Sequence, residues 1–123
     1  MSFIVDEIDG SITLIQGDSG LLAVEKINTD KNYKVYFAIQ DKKRKPVGRE
    51  LIREANKESC VEFEIPSSLT DLLVVPKKQE SEEYYYGIKL CDEFGFEDTA
   101  LINNSEIGDL NIITVYPKKA EGL

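Results

Sequence analysis

Carboxylates are the residues with which this chain could most readily do chemistry, because it has 23 Asp and Glu and no histidine. Without histidine it lacks the commonest general base, the usual partner of a nucleophilic serine or cysteine, and the commonest transition-metal ligand. Glu62 and Glu64 would share one face of a strand and could form an acid–base pair. Two like charges on a strand face are more often simply solvated, and a small β domain rarely offers the cleft that paired carboxylates need. We therefore predict that the protein is not an enzyme.

Acidic clusters raise the question of a calcium site, since calcium prefers oxygen ligands. One cluster comprises Asp92, Glu93, Glu97 and Asp98, and the other comprises Asp6, Glu7 and Asp9. Neither has the spacing of the common calcium loop, and Phe94 and Phe96 interrupt the first cluster. Acidic, solvated turns are the favoured interpretation, and we predict no metal and no cofactor.

The two cysteines, Cys60 and Cys91, favour reduced, half-buried thiols in a protein made in the cytosol. A secreted domain held by disulfides usually carries more cysteines at closer spacing, although a single bridge is the alternative. A zinc site would need histidine or a close cysteine pair.

The net charge limits the kinds of partner that we expect. The chain has 15 basic and 23 acidic residues, which gives a net charge of −8 at pH 7. Such a surface repels phosphate backbones, so we expect no nucleic-acid partner. The basic run at residues 42–45 is predicted to be a solvated hairpin tip. No apolar run approaches the roughly 20 residues of a membrane helix, and the N-terminus lacks the basic start of a secretory signal.

Strands separated by turns are the elements that must position these residues. In residues 33–40 the side chains of Tyr33, Val35, Phe37 and Ile39 should point to one face and those of Lys34, Tyr36 and Ala38 to the other, which predicts a strand with one buried face. Similar signals predict strands at residues 11–16, 21–27, 59–65, 84–90, 98–102 and 110–116. Residues 49–55 fit either a helical turn or a strand, and the strand is favoured as a hairpin partner.

Two connecting segments carry more detailed predictions. Residues 41–48 read as a charged loop, and residues 67–72 as a short helical turn. Ser67 or Ser68 would cap that turn, with Asp71 near its positive end. About eight strands and no long helix predict a single domain, residues 1–123 with a frayed tail at 118–123. The predicted fold is all-β, an antiparallel, immunoglobulin-like β-sandwich with one short helical turn.

Aromatic residues supply the candidates for contact with a partner protein. Tyr85 should lie on the outer face, opposite to the core face of Tyr84 and Tyr86, and could lie near Tyr36. Phe94 and Phe96 flank a glycine at a predicted turn, where large apolar side chains suggest an interface. The four candidates are Tyr36, Tyr85, Phe94 and Phe96. The alternatives are that the tyrosines stabilise the sheet as a cross-strand pair, and that the phenylalanines fold back over the core edge.

The most distinctive motif is Gln16-Gly17-Asp18-Ser19-Gly20, which separates two apolar runs. It lacks the pattern of a phosphate-binding loop, so we predict a hairpin turn. In this turn the Asp18 carboxylate would accept hydrogen bonds from nearby backbone N–H groups.

This motif, with the preceding Ile12-Thr13-Leu14-Ile15, resembles the start of the N-terminal β-sandwich domain of upper baseplate proteins from lactococcal-type phages and prophages of Gram-positive bacteria. Three further features follow in the same order as in that family. They are the turn at residues 68–72, the Tyr84-Tyr85-Tyr86-Gly87-Ile88 strand and the terminal strand at residues 108–112. The glycine of the tyrosine strand is displaced from its usual place in that family.

The resemblance implies a non-enzymatic virion component of a phage tail or baseplate, assembled in the bacterial cytoplasm. Its partners would be other tail or baseplate proteins, or further copies of itself, rather than nucleic acid or a membrane. The alternative is a cell-surface β-sandwich module that binds protein or carbohydrate.

Overall fold

The computed structural model describes residues 3–6, 8–100 and 111–118, and for residues 98–100 it describes the backbone. This part of the chain forms nine strands and one helix of four residues. The strands are β1 Ile4–Val5, β2 Ile12–Ile15, β3 Gly20–Val24, β4 Asn32–Gln40, β5 Pro46–Asn56, β6 Val61–Ile65, β7 Glu82–Asp92, β8 Glu97–Ala100 and β9 Asn111–Tyr116, and the helix α1 is Ser67–Thr70. No helix in the described residues is long and apolar enough to span a membrane.

The strands form two sheets that pack into an immunoglobulin-like β-sandwich, as predicted. The larger sheet has the order β1-β2-β9-β7-β4-β5, and β3 and β6 form the smaller one. One edge of β7 pairs with β4 along residues 85–92, and the other edge pairs with both β8 and β9. The hairpin of β7 and β8 therefore lies in the middle of the larger sheet and ends in an exposed turn.

A continuous apolar core lies between the sheets, and the predicted alternation places its residues correctly. Val35, Phe37 and Ile39 of β4 are buried, as are Val61, Phe63 and Ile65, which alternate with Glu62 and Glu64 in β6. The Phe37 ring lies 5.7 Å from that of Phe63 and 5.4 Å from that of Tyr86, between ring centroids. Because Phe63 belongs to the smaller sheet and the other two rings to the larger one, this aromatic cluster joins the two sheets.

The prediction that Gly17–Gly20 forms a hairpin is wrong, because β2 and β3 belong to different sheets. The turn instead carries the chain from one layer of the sandwich to the other. β2 pairs with β9, and this pair is parallel although the other strand pairs in the described residues are antiparallel. A parallel pair needs a long connection, and here nearly the whole domain connects its two strands.

The helical turn α1 is where the sequence predicts it, but its ends differ from the prediction. Pro66 occupies the N-cap position and neither Ser67 nor Ser68 caps the helix. Asp71 is the C-cap residue, so it lies at the negative end and not at the positive one.

The ambiguous segment at residues 49–55 belongs to the edge strand β5, and the loop before this strand is shorter than predicted. Proline is tolerated as the first residue of an edge strand, so β5 begins at Pro46. The basic run at residues 42–45 is the exposed tip of the β4–β5 hairpin. An irregularity interrupts the ladder between Phe37 and Ile39, where Gly48 has a φ of 71°.

Candidate protein-binding surface

The turn between β7 and β8 is held in shape by the carboxylate of Asp92. Its Oδ1 accepts hydrogen bonds from the backbone N–H groups of Phe94 (2.9 Å) and Phe96 (3.0 Å). Its Oδ2 lies 3.3 Å from Nζ of Lys31, and the Asp92 side chain is only 3% exposed. The backbone closes the turn as well, since Asp92 N–H donates to the Phe96 carbonyl and Gly95 N–H donates to the Asp92 carbonyl. Both carboxylate oxygens are thus engaged in fixing the turn.

The electrostatics of Asp92 favour its charged form. Burial opposes ionisation, but the hydrogen bonds from Phe96 and Phe94 and the Lys31 ammonium outweigh it, so the pKa of Asp92 lies below its usual 3.8. The carboxylate is therefore charged at neutral pH and accepts both amide hydrogen bonds in its stronger, ionic form.

The fixed turn presents two phenylalanines to solvent. Phe94 and Phe96 are each 72% exposed, so the alternative that they fold back over the core edge is wrong. Gly95 between them has a φ of 89°, a conformation that favours glycine. Two large apolar side chains on a rigid turn lose little conformational freedom on binding, which suits them to act as anchors in a protein interface.

Tyr36 and Tyr85 lie apart from this turn, on the outer face of the larger sheet. Both are half-buried. Tyr36 is opposite Lys89 and Tyr85 is opposite Gln40, so the two tyrosines are not a direct cross-strand pair. The pair between them in the register is Ala38 and Gly87. The structure therefore divides the four candidate residues into an exposed tip and a half-buried aromatic face.

The other candidate sites serve local structure. Glu62 and Glu64 are exposed on the outer face of β6, as predicted. In the acidic N-terminal segment, Asp6 and Asp9 each accept a backbone amide two residues further along the chain, and Glu7 lies outside the described residues. Within the described part of the chain, no three His, Cys, Asp or Glu side chains are grouped so that they could hold a metal ion.

Both cysteines are free thiols, as the favoured interpretation predicts, but only Cys91 is half-buried and Cys60 is exposed. Burial and the nearby carboxylates of Glu25, Glu62 and Glu58 raise the pKa of Cys60. The thiol is therefore protonated at neutral pH and a weak nucleophile.

The turn of the Gln16–Gly17–Asp18 motif is fastened to α1, a role that the sequence does not reveal. The Gln16 amide donates to the Asp71 carbonyl at 2.9 Å, which satisfies the C-terminal end of the helix. Thr70 is fully buried, and its hydroxyl donates to the Asp18 carbonyl at 2.7 Å. Asp18 thus contributes its backbone carbonyl to the contact with α1. The predicted hydrogen bonds from local backbone amides to its carboxylate are not observed in the described residues.

Lys118, the last residue that the structure describes, forms an ion pair with Asp71 at the end of α1. Its Nζ lies 2.7 Å from the Asp71 carboxylate, so the predicted fraying does not hold at Lys118. The rest of the predicted frayed tail, residues 119–123, lies outside the described residues. The terminal-strand motif at residues 108–110 also lies outside them.

Layer structure, strand order and core define the class of this protein as an immunoglobulin-like β-sandwich. No family model matches the chain, and no curated protein matches it. Among solved structures it is similar to the periplasmic chaperone SfaE, with a TM-score of 0.64 and 12% sequence identity. The similarity covers 88% of this chain, which spans about half (53%) of that structure's length. At this identity the likeness shows the fold alone.

Proposed function

We propose that this protein is a non-enzymatic structural component of a phage or prophage tail or baseplate, acting through protein–protein contacts. The observation that carries the binding role is the exposed pair of Phe94 and Phe96 on a turn fixed by Asp92. A solvent-exposed apolar pair of this size is unfavourable in an isolated monomer and is accounted for by burial against a partner. The tail context rests on the sequence resemblance described above.

The test measures binding to the proteins encoded beside this one, using purified components and isothermal titration calorimetry. Replacing both phenylalanines by serine should weaken the complex at least about 30-fold, because the loss of even one aromatic anchor costs about 2 kcal/mol or more. The matched control is Ile8→Ser with Val74→Ser, which removes two apolar side chains that are 85% and 58% exposed elsewhere. Equal affinity for the phenylalanine variant and the native chain would place the interface elsewhere. A strictly monomeric chain that binds none of the neighbouring gene products would refute the tail assignment.

A second candidate function is a cell-surface module that binds protein or carbohydrate. Tyr36 and Tyr85 favour it, because both lie half-buried on the outer face of the larger sheet and a sugar ring can stack on the solvent-facing part of an aromatic side chain. Glycan-array binding that disappears in Tyr85→Ala, while Phe94→Ser binds normally, would support this function over the first.

A further inference from the structure

The strand β5 leaves a long edge of the larger sheet open. It has 11 residues, lies at the end of the strand order and, among the strands that the structure describes, pairs only with β4. Within the described residues, the backbone of residues 51–55 makes no hydrogen bond outside the β4 ladder. An edge strand with outward N–H and C=O groups can accept a further strand.

The irregularity near Gly48 limits the usable part of this edge. The ladder is regular from Leu51, opposite Phe37, to Asn56, opposite Asn32. Gly48 is tightly packed against α1, because a Cβ atom there would lie 2.4 Å from Cδ1 of Leu69. A docking strand would therefore pair with residues 51–56, about 20 Å of extended chain.

Charges alternate between the two sides of this segment. Leu51, Arg53 and Ala55 point to the core side, since their partners on β4 include the buried Phe37 and Val35. Arg53 is nevertheless exposed, as an edge position allows. On the outer side Glu54 follows Ile52, which is 52% exposed. The core side of this segment thus combines the apolar Leu51 with the positive charge of Arg53. The outer side combines the apolar Ile52 with the negative charge of Glu54.

This arrangement disfavours pairing with a second copy of the same strand. In a two-fold antiparallel pair of regular strands, each residue faces one an even number of positions away, because facing side chains share a side of the sheet. Centring the pair on Leu51, Ile52, Ala55 or Asn56 pairs at most three residues of the regular segment 51–56. Centring it on residue 53 or 54 pairs five of them and places Arg53 or Glu54 opposite itself. Like charges directly opposite one another destabilise a ladder, so both of these longer registers are penalised.

We infer that the β5 edge binds an extended segment of a different protein by antiparallel strand addition. The segment carries an acidic residue opposite Arg53, a basic residue opposite Glu54 and apolar residues opposite Leu51 and Ile52. Read from its N-terminus, its order is basic, acidic, apolar, apolar. This edge belongs to a different strand from the phenylalanine tip, with β4 between them. The inference does not depend on the proposed tail role.

The test uses two end-capped peptides of the same composition, Thr-Val-Lys-Glu-Val-Val and its charge-swapped form Thr-Val-Glu-Lys-Val-Val. The native chain should bind the first about tenfold more tightly than the second, measured by amide chemical-shift titration. The shifts and the slowed hydrogen exchange should concentrate on residues 51–55. The double variant Arg53→Glu with Glu54→Arg changes only exposed side chains, and it should reverse the preference between the peptides.

Equal affinities, a preference that the double variant does not reverse, shifts located elsewhere, or no binding at millimolar peptide would each overturn the inference. Dimerisation of the native chain through residues 51–55 would also overturn it, in favour of a second copy as the occupant. The serine variant of Phe94 and Phe96 should bind the first peptide normally, so the outcome is independent of the test of the tip.

Discussion

Removing the Thr70 hydroxyl should destabilise the fold by disconnecting the Gln16–Gly17–Asp18 turn from α1. Thr70 is fully buried, and its Oγ1 donates to the Asp18 carbonyl at 2.7 Å and lies 3.3 Å from the Ser67 carbonyl. Thr70→Val keeps the shape of the side chain but leaves the Asp18 carbonyl without this donor. Losing one partner of a part-buried hydrogen bond costs about 1–3 kcal/mol. For a domain of this size that corresponds to a fall in Tm of roughly 3–15 °C.

Urea unfolding followed by circular dichroism measures this change directly, since a lower midpoint at constant slope reports lost stability. The matched control is Thr114→Val, because Thr114 is a half-buried residue of β9 on the outer face. The control should change the free energy of unfolding by less than about 0.5 kcal/mol. A Thr70→Val variant as stable as the control would refute the claim that this hydrogen bond stabilises the turn.

Three further predictions concern the edge strand and the tip. Gly48→Ala should lower the free energy of unfolding by about 2–4 kcal/mol in a urea titration, because φ is 71° and the new Cβ would overlap Leu69; a neutral result would contradict the packing of α1 on β5. Since the pKa of Asp92 is lowered on folding, its contribution to stability is present above the unfolded value near 3.8 and is lost as pH falls through the lower folded value. Stability measured from pH 6 to pH 2 should therefore fall less steeply in Asp92→Asn, and parallel curves would contradict this linkage. Phe94→Ser with Phe96→Ser should leave the thermal midpoint within about 2 °C of the native one, because both side chains are largely exposed, and a large fall would mean that they stabilise the monomer.

The side-chain alternation of individual strands could be predicted from the sequence, because burial of one face is a local, period-two signal. It identifies the inward residues of β4 and β6 and separates Tyr85 from its two buried neighbours. The layer to which a strand belongs is not a local property. The apolar runs on either side of Gly17 therefore read as a hairpin, although β2 pairs with β9, about a hundred residues further along the chain.

The candidate site was predictable in its residue types but not in its geometry. Phe94 and Phe96 attract attention because they flank a glycine in a polar turn. Asp92 reads as one member of an acidic cluster, and only the structure shows that it accepts both phenylalanine amides. The role of Asp92 as acceptor depends on the backbone dihedral angles of the turn and on Lys31 from a distant part of the chain. Residue spacing in the sequence encodes neither.

The Gln16–Gly17–Asp18 motif, which carries most of the sequence resemblance, is used inside the domain and not at its surface sites. Gln16 completes the end of α1, and Asp18 accepts a hydrogen bond from a buried threonine. A sequence that keeps this motif therefore keeps a way of joining the two sheets to α1, and the motif bears on the fold more directly than on the partner. Partner choice should instead depend on exposed side chains such as Phe94 and Phe96 at the β7–β8 turn and Arg53 on β5, which can vary at little cost in stability. Substitutions in the motif should consequently reduce binding only as far as they unfold the protein, whereas those at the tip or at Arg53 should change binding in a fully folded chain.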